Sequence, residues 1–84
     1  MPLPSWLRSG EFREFCEDCY FYVYSPTREG RFPINAEGWR KAVGFAKTLP
    51  RAVIKFYCHD SEGITMEIRL AGVDTNGELF VRYY

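Results

Sequence analysis

The clearest regularity in the chain is an alternation of apolar and polar residues through its C-terminal half. Between positions 64 and 73 the apolar set is Ile64, Met66, Ile68 and Leu70. Successive side chains of a strand point to opposite faces, so this set is expected to face a core while the intervening residues, up to Ala71, face solvent. The same alternation predicts strands at 51–59 and 78–84, with the inward sets Ala52, Ile54, Phe56, Cys58 and Leu79, Val81, Tyr83. Turn residues at 60–63 and 74–77 join the three strands into a meander.

The N-terminal half has helical periodicity around a short strand. Apolar residues three and four apart predict an amphipathic helix over residues 9–19, with a start as early as residue 5: Phe12, Phe15, Cys16 and Cys19. A second helix is predicted between the N-cap Asn35 and Pro50, with an apolar face of Trp39, Ala42, Val43, Ala46 and Leu49. Residues 20–24 predict a strand, and residues 31–34 predict a short edge strand because Pro33 lacks an N–H.

This order of elements predicts an α+β fold in a single domain of residues 1–84. We expect two helices packed on one face of a mostly antiparallel sheet of four or five strands, in the order α-β-(β)-α-β-β-β. Apolar residues make up 46% of the chain, which is enough for a small core without metals or disulfides.

Charge and cysteine content narrow the classes of function. Eleven basic and eleven acidic residues cancel, which argues against a general nucleic-acid binder. No apolar run reaches the ~18 residues that a membrane span requires, so no membrane association is expected. Three cysteines, an odd number in a chain without a recognisable signal peptide, predict free thiols, a reducing compartment and a cytoplasmic location.

Cys16 and Cys19 have the spacing of a metal-ligand pair, and Cys58 and His59 offer two further soft ligands. Adjacent residues of a strand leave opposite faces, so Cys58 and His59 are not expected to converge on one ion or to act as nucleophile and base. We therefore interpret the cysteines as core residues and expect no metal, no cofactor and no enzymatic activity. A small zinc-stabilised module is kept as an alternative.

The outward residues of the predicted sheet are rich in tyrosine. From them we select eight candidates for a protein-binding site: Tyr20, Tyr22, Tyr24, Lys55, Tyr57, Arg69, Arg82 and Tyr84. Tyrosine and arginine are enriched at protein–protein hot spots because they combine a large contact area with a polar end. Two other interpretations are stacking on unpaired bases and simple stabilisation of the sheet by cross-strand tyrosines.

These observations predict a small protein-binding module that acts as an inhibitor or adaptor of a larger protein machine, whose identity the sequence does not reveal. Phage and mobile elements encode inhibitors of this size, inhibitors of CRISPR effectors among them. We associate the chain with such inhibitors only because of its size and its lack of a catalytic motif. A homodimer through the same face is one alternative. Another is a single-stranded nucleic-acid-binding module that combines the tyrosines with a basic helix face of Arg40, Lys41, Lys47 and the following Arg51.

Overall fold

The computed structural model of the chain describes residues 5–81. Its elements are α1 (Ser5–Arg8), a 3-10 turn (Glu11–Glu14), β1 (Asp18–Tyr24), β2 (Glu29–Phe32), α2 (Ala36–Lys47), β3 (Val53–His59), β4 (Thr65–Val73) and β5 (Leu79–Val81). The strands form one antiparallel sheet in the order β2-β1-β3-β4-β5. The α+β class is confirmed, and the predicted edge strand forms, but it spans Glu29–Phe32 and ends before Pro33. Tyr83, predicted to face inward, lies outside the described residues.

The first predicted helix is wrong in its extent. Gly10 adopts a left-handed backbone with φ of 73°, which glycine tolerates without strain, and the α-helix ends two residues before it. A 3-10 turn follows, and β1 already begins at Asp18, so Cys19 is a strand residue. Of the four residues in the predicted apolar stripe only Phe12 is fully buried, while Phe15 is 58% exposed.

The second helix begins at the predicted cap and ends at Lys47, so Leu49 of the predicted apolar face lies beyond it. The side chain of Asn35 accepts a hydrogen bond from the backbone N–H of Gly38 at 2.6 Å and caps the first turn. Gly38 lies against the backbone of Pro33, and a Cβ at this position would collide with the Pro33 carbonyl oxygen. The buried residues beyond the first turn are Trp39, Ala42 and Ala46. The helix is thus fixed by its cap, by the close approach at Gly38 and by the burial of Trp39 and the two alanines.

The core is centred on two phenylalanines of neighbouring strands. Phe21 of β1 and Phe56 of β3 are register partners, and neither is exposed to solvent. Phe21 contacts Trp39 of α2, with ring centroids 5.3 Å apart. Phe56 contacts Trp6 and Phe12 of the N-terminal segment, each edge-on at 5.3 Å. Aromatic rings from α2 and from the N-terminal segment therefore pack on two adjacent core residues of the sheet.

A β-bulge in β4 changes which residues reach this core. Ile54 pairs with Ala71, whereas the next residue, Lys55, pairs with Arg69, so Leu70 is the extra residue. Leu70 and Ala71 are both buried, and the prediction that Ala71 faces solvent is therefore wrong. Alternation along a strand holds for a regular ladder, and an extra residue reverses the parity of every position that follows it.

The start of β4 is less buried than the alternation predicts. Ile64 is 61% exposed in the turn before the strand, and Met66 is 39% exposed although it pairs with the buried Cys58. Ile68 is half-buried against the core. The prediction that Ile64 and Met66 are core residues is wrong, because alternation gives the direction of a side chain but not its coverage by another element.

Two of the cysteines form a disulfide. Cys16, in the loop before β1, is bonded to Cys58 of β3 with Cα atoms 5.4 Å apart, and Cys19 is free. The prediction of free thiols is therefore wrong for Cys16 and Cys58. A helix would have directed Cys16 along an apolar stripe, whereas the loop places it beside a residue 42 positions further along the chain.

Candidate functional site

The sheet surface that points away from Phe21 and Phe56 brings five of the predicted site residues together. Tyrosines at positions 20, 22 and 24 alternate along β1 with the buried residues Phe21 and Val23. The register then places Tyr57 opposite position 20 and Lys55 opposite position 22. We call this surface the tyrosine face and define it by Tyr20, Tyr22, Tyr24, Lys55 and Tyr57. All five side chains are half-buried, so they are partly accessible and partly held by their neighbours.

The four tyrosine rings form one continuous cluster. Tyr20 stacks on Tyr57 with centroids 5.5 Å apart and an interplanar angle of 14°. Tyr22 meets Tyr57 edge-on at 5.6 Å, and it also stacks on Tyr24 at 5.6 Å. Aromatic pairs in such geometries contribute about 0.5–1.5 kcal/mol each beyond the area they bury. The four rings are therefore held in place by contacts with one another.

Basic side chains lie over two of these rings. The guanidinium of Arg31 lies 4.6 Å from the centroid of Tyr20, and the ammonium of Lys55 lies 5.2 Å from that of Tyr24. Lys55 also donates a hydrogen bond to Glu67 at 3.1 Å, and its side chain is only 19% exposed. These two cations are thus held in place by aromatic contacts and, for Lys55, by one ion pair.

Two carboxylates on the same surface bind the tyrosine hydroxyls. Tyr22 donates a hydrogen bond to Glu29 of β2, and this bond is the main reason that the pKa of Tyr22 is raised. A hydrogen bond from Tyr57 to Glu67 raises the pKa of Tyr57 and lowers the pKa of Glu67. The hydrogen bond to Glu67 likewise raises the pKa of Lys55. Both phenols therefore stay neutral at physiological pH, and both carboxylates have a fixed donor.

The face extends to His59 at the end of β3. The two ring nitrogens of His59 lie 3.2 Å from the hydroxyl of Tyr20 and 2.9 Å from that of Thr65. Its ring also stacks on Tyr57 at 6.2 Å. The neighbouring Cys58 is buried on the other side of the strand, which confirms that these two adjacent residues leave opposite faces.

Sequence reasoning missed Glu29, Arg31 and His59 as members of this surface. The predicted edge strand began at position 31, whereas β2 begins at Glu29, and its pairing with β1 sets Arg31 opposite Tyr22 and Glu29 opposite Tyr24. Continuing the β3 parity from Tyr57 to His59 would have found the histidine. Finding the two β2 residues required the register of the first hairpin, which depends on the conformation of its turn.

The remaining candidates lie farther out or outside the described residues. Arg69 is exposed on β4 and is the register partner of Lys55. Arg82 and Tyr84 lie outside residues 5–81. Phe80 of β5 is 42% exposed and packs over Gly72, where an added Cβ would lie 3.0 Å from its ring. The apolar part of the sheet surface therefore continues onto β5.

The zinc-stabilised alternative meets two structural obstacles. The sulfur atoms of Cys16 and Cys58 are bonded to each other, which removes two of the ligands that a zinc site would use. In the described part of the chain, no group of three or more histidine, cysteine, aspartate or glutamate side chains is arranged to hold a metal ion.

The basic face of α2 is exposed, but it lies apart from the tyrosine face. Arg40, Lys41 and Lys47 are exposed, and Lys41 forms an ion pair with Glu37 at 3.4 Å. Because Trp39 of the same helix packs on Phe21, α2 contacts the side of β1 from which the tyrosines point away. One short ligand is therefore unable to lie on both surfaces at once.

Comparison of the chain with protein-family models, with curated proteins and with solved structures gives no match in any of the three. Within residues 5–81, no helix is long and apolar enough to cross a membrane. Inferences about function therefore depend on the geometry of the tyrosine face.

Proposed function

We propose that the chain is a protein-binding module without catalytic activity, which acts as an inhibitor or adaptor of a larger protein assembly. The tyrosine face is its docking surface. The observation that carries this proposal is the cluster of four tyrosine rings, two stacked pairs joined by an edge-on contact, on an accessible sheet surface. Tyrosine offers a large contact area and a polar end, and rings that are already ordered lose little conformational entropy on binding.

The arrangement of charge around the rings also supports a protein partner. Glu29, Arg31, Glu67 and Arg69 are all exposed at the margins of the tyrosine face. An aromatic centre with a polar, mixed-charge rim is the usual anatomy of a protein–protein interface. Charged groups of both signs would fix the orientation of a partner and exclude partners with the wrong charge pattern.

Single-stranded nucleic acid is the second candidate, because Arg31 and Arg69 flank rings that are able to stack on bases. Three observations favour protein over nucleic acid. The chain has no net positive charge, two carboxylates bind the tyrosine hydroxyls, and the basic residues of α2 lie on a different surface. A phosphate backbone that follows the tyrosine face would therefore meet carboxylates as well as cations.

We keep the cytoplasm as our proposal for where the module works, although the Cys16–Cys58 bond overturns the free thiols from which that location was predicted. Thiols are kept reduced there, so in that compartment the Cys16–Cys58 bond would be transient and under redox control. Alkylation of cysteines in intact cells, followed by mass analysis, measures how much of the chain carries the bond.

The test compares binding by the wild-type chain, by Tyr22→Ala on the tyrosine face and by Arg40→Ala on α2. Each chain is used in a cross-linking pull-down with and without nuclease, and the recovered partner is then purified for affinity measurements. We expect the partner to resist nuclease, Tyr22→Ala to weaken binding by about 30-fold or more, and Arg40→Ala to leave it unchanged.

Three outcomes would contradict this proposal. Recovered material that disappears with nuclease, together with a loss of binding in Arg40→Ala, would favour the nucleic-acid alternative. Undiminished partner binding by a folded Tyr22→Ala chain would exclude the tyrosine face. A concentration-dependent dimer that is weakened by Tyr22→Ala, with no other partner, would assign the face to self-association.

A further inference from the structure

The three cysteines of the chain meet at one end of the sheet. Cys58 is bonded to Cys16, with Cα atoms 5.4 Å apart, and Cys19 is its direct register partner on β1. Directly opposed residues of an antiparallel pair have Cα atoms about 4.5 or 5.5 Å apart, and a disulfide accepts about 4.4–6.8 Å. Cys16, Cys19 and Cys58 all pack against the core cluster or belong to it. Cys58 therefore has two disulfide partners within reach.

We propose that these residues form a thiol–disulfide exchange site in which Cys58 bonds alternately to Cys16 and to Cys19. The Cys19 thiol loses its proton, and the thiolate attacks the sulfur of Cys58. A bond between Cys19 and Cys58 forms as the bond between Cys16 and Cys58 breaks, and Cys16 leaves as a thiolate that takes up a proton. The number of disulfides is unchanged, so the step needs neither an oxidant nor a reductant.

The exchange would change what the disulfide holds. The Cys16–Cys58 bond ties the loop after the 3-10 turn to β3, next to the N-terminal segment that covers Phe56. A Cys19–Cys58 bond lies within a strand pair that is already hydrogen-bonded. It leaves the N-terminal segment held by its packing on Phe56 and by the hydrogen bond that Arg13 donates to the carbonyl oxygen of Ile34 at 2.7 Å. The exchange site is therefore a switch for the attachment of residues 5–14 to the core.

Access to the cleft favours this role, whereas burial of Cys19 keeps its thiol protonated at neutral pH and so makes the step depend on pH. Cys16 is half-buried and lines a cleft of about 410 Å³, so this residue is accessible from solvent. The charged residues of the cleft are Arg13, Glu14, Glu17, Asp60 and Glu62. Burial is the largest cause of the raised pKa of Cys19. The charge of Arg13 lowers this pKa by a smaller amount, and the charge of Asp18 raises it further. The thiolate fraction of Cys19, and with it the exchange rate, should rise as the pH approaches this raised pKa.

The first experiment uses the oxidised wild-type chain. It is incubated at neutral and at alkaline pH, free thiols are blocked with iodoacetamide, and the chain is then cleaved after Glu17, which separates Cys16 from Cys19. At neutral pH we expect the label on Cys19. At alkaline pH we expect label to move to Cys16 and a peptide that links Cys19 to Cys58. Label that stays on Cys19 throughout would overturn the proposal.

The second experiment uses matched single variants in a glutathione redox buffer. Cys16→Ser is expected to form the Cys19–Cys58 bond, and Cys19→Ser is expected to keep the Cys16–Cys58 bond. Amide hydrogen exchange of residues 5–14 should be faster in Cys16→Ser than in Cys19→Ser, while exchange in β1 and β3 stays the same. A folded Cys16→Ser chain that stays reduced while Cys19→Ser becomes oxidised would refute the exchange site. If Cys16→Ser does not fold, the wild-type labelling alone decides.

Discussion

Removal of the Cys16–Cys58 disulfide is expected to destabilise the fold strongly. The bond joins residues with a sequence separation of 42 and closes most of the sheet into one covalent loop. Without it, the unfolded chain regains the conformational freedom of that loop, whereas the folded chain loses few contacts. The effect therefore acts mainly through the unfolded state.

The size of the effect follows from the length of the loop. For a closed loop of 42 residues, the chain-entropy relation gives about 4 kcal/mol at 25 °C. A domain of 84 residues is typically stable by roughly 4–13 kcal/mol in total. The melting temperature of a domain of this size falls by about 4–8 °C per kcal/mol, so a decrease of about 15–30 °C is expected.

The assay is urea unfolding followed by circular dichroism. The wild type is compared with its reduced form and with the double variant Cys16→Ala/Cys58→Ala, in which no thiol partner for the bond remains. Cys19→Ala is the matched control, because it also removes one thiol but leaves the Cys16–Cys58 bond intact. We expect large and similar losses for reduction and for the double variant, and a small loss for the control.

A loss of less than about 1 kcal/mol on reduction would refute this reasoning, because loop closure would then not constrain the unfolded chain as the relation requires. A large loss in Cys19→Ala alone would also refute it. That result would place the stabilisation in the packing around Cys19 and not in the covalent bond.

Two further predictions concern α2 and the tyrosine face. Gly38→Ala should lower the free energy of unfolding by about 1–3 kcal/mol, because its Cβ would collide with a backbone carbonyl. Gly44→Ala in the same helix meets nothing within 4 Å and should raise that free energy by about 1 kcal/mol; equal effects in thermal unfolding would contradict the packing at Gly38. In an alkaline titration followed by ultraviolet absorbance, Tyr57 should ionise above its ordinary pKa of 10.0. The stabilisation from its hydrogen bond to Glu67 is therefore present below pH 10.0 and is lost as the pH rises through the raised pKa. Because the pKa of Glu67 is lowered from 4.5, its contribution to stability is present above pH 4.5 and is lost as the pH falls through the lowered pKa. Glu67→Ala should return the ionisation of Tyr57 toward pH 10.0, and an unchanged ionisation would exclude the hydrogen bond between them.

The exchange site and the tyrosine face lie on opposite sides of the same strand. Cys58 of β3 faces the core, whereas Tyr57 and His59 on either side of it lie on the side of the tyrosine face. The two proposals therefore fail independently. Loss of partner binding in Tyr22→Ala does not depend on the disulfide, and movement of the alkylation label between cysteines does not depend on a partner.

Local patterns in the sequence account for much of the framework. The cap residue and the apolar spacing of α2 lie close together in the sequence, and the helix begins where they predict, although it ends at Lys47 before the predicted end at Pro50. Alternation in β1 and β3 separated Phe21 and Phe56 from Tyr22 and Tyr57 because the strand period is a property of the backbone alone. The residues of the tyrosine face were identifiable for the same reason.

Other features depend on residues distant in the sequence, and these required the folded chain. The bulge at Leu70 arises from the register between β3 and β4, and it turns Ala71 toward the core against the local alternation. The bond between Cys16 and Cys58 and the position of Arg31 over Tyr20 likewise require segments to meet after folding. Periodicity determines the direction of a side chain within its own strand or helix. Register and chain closure determine which other side chain it meets, and these are set by packing across the whole sheet.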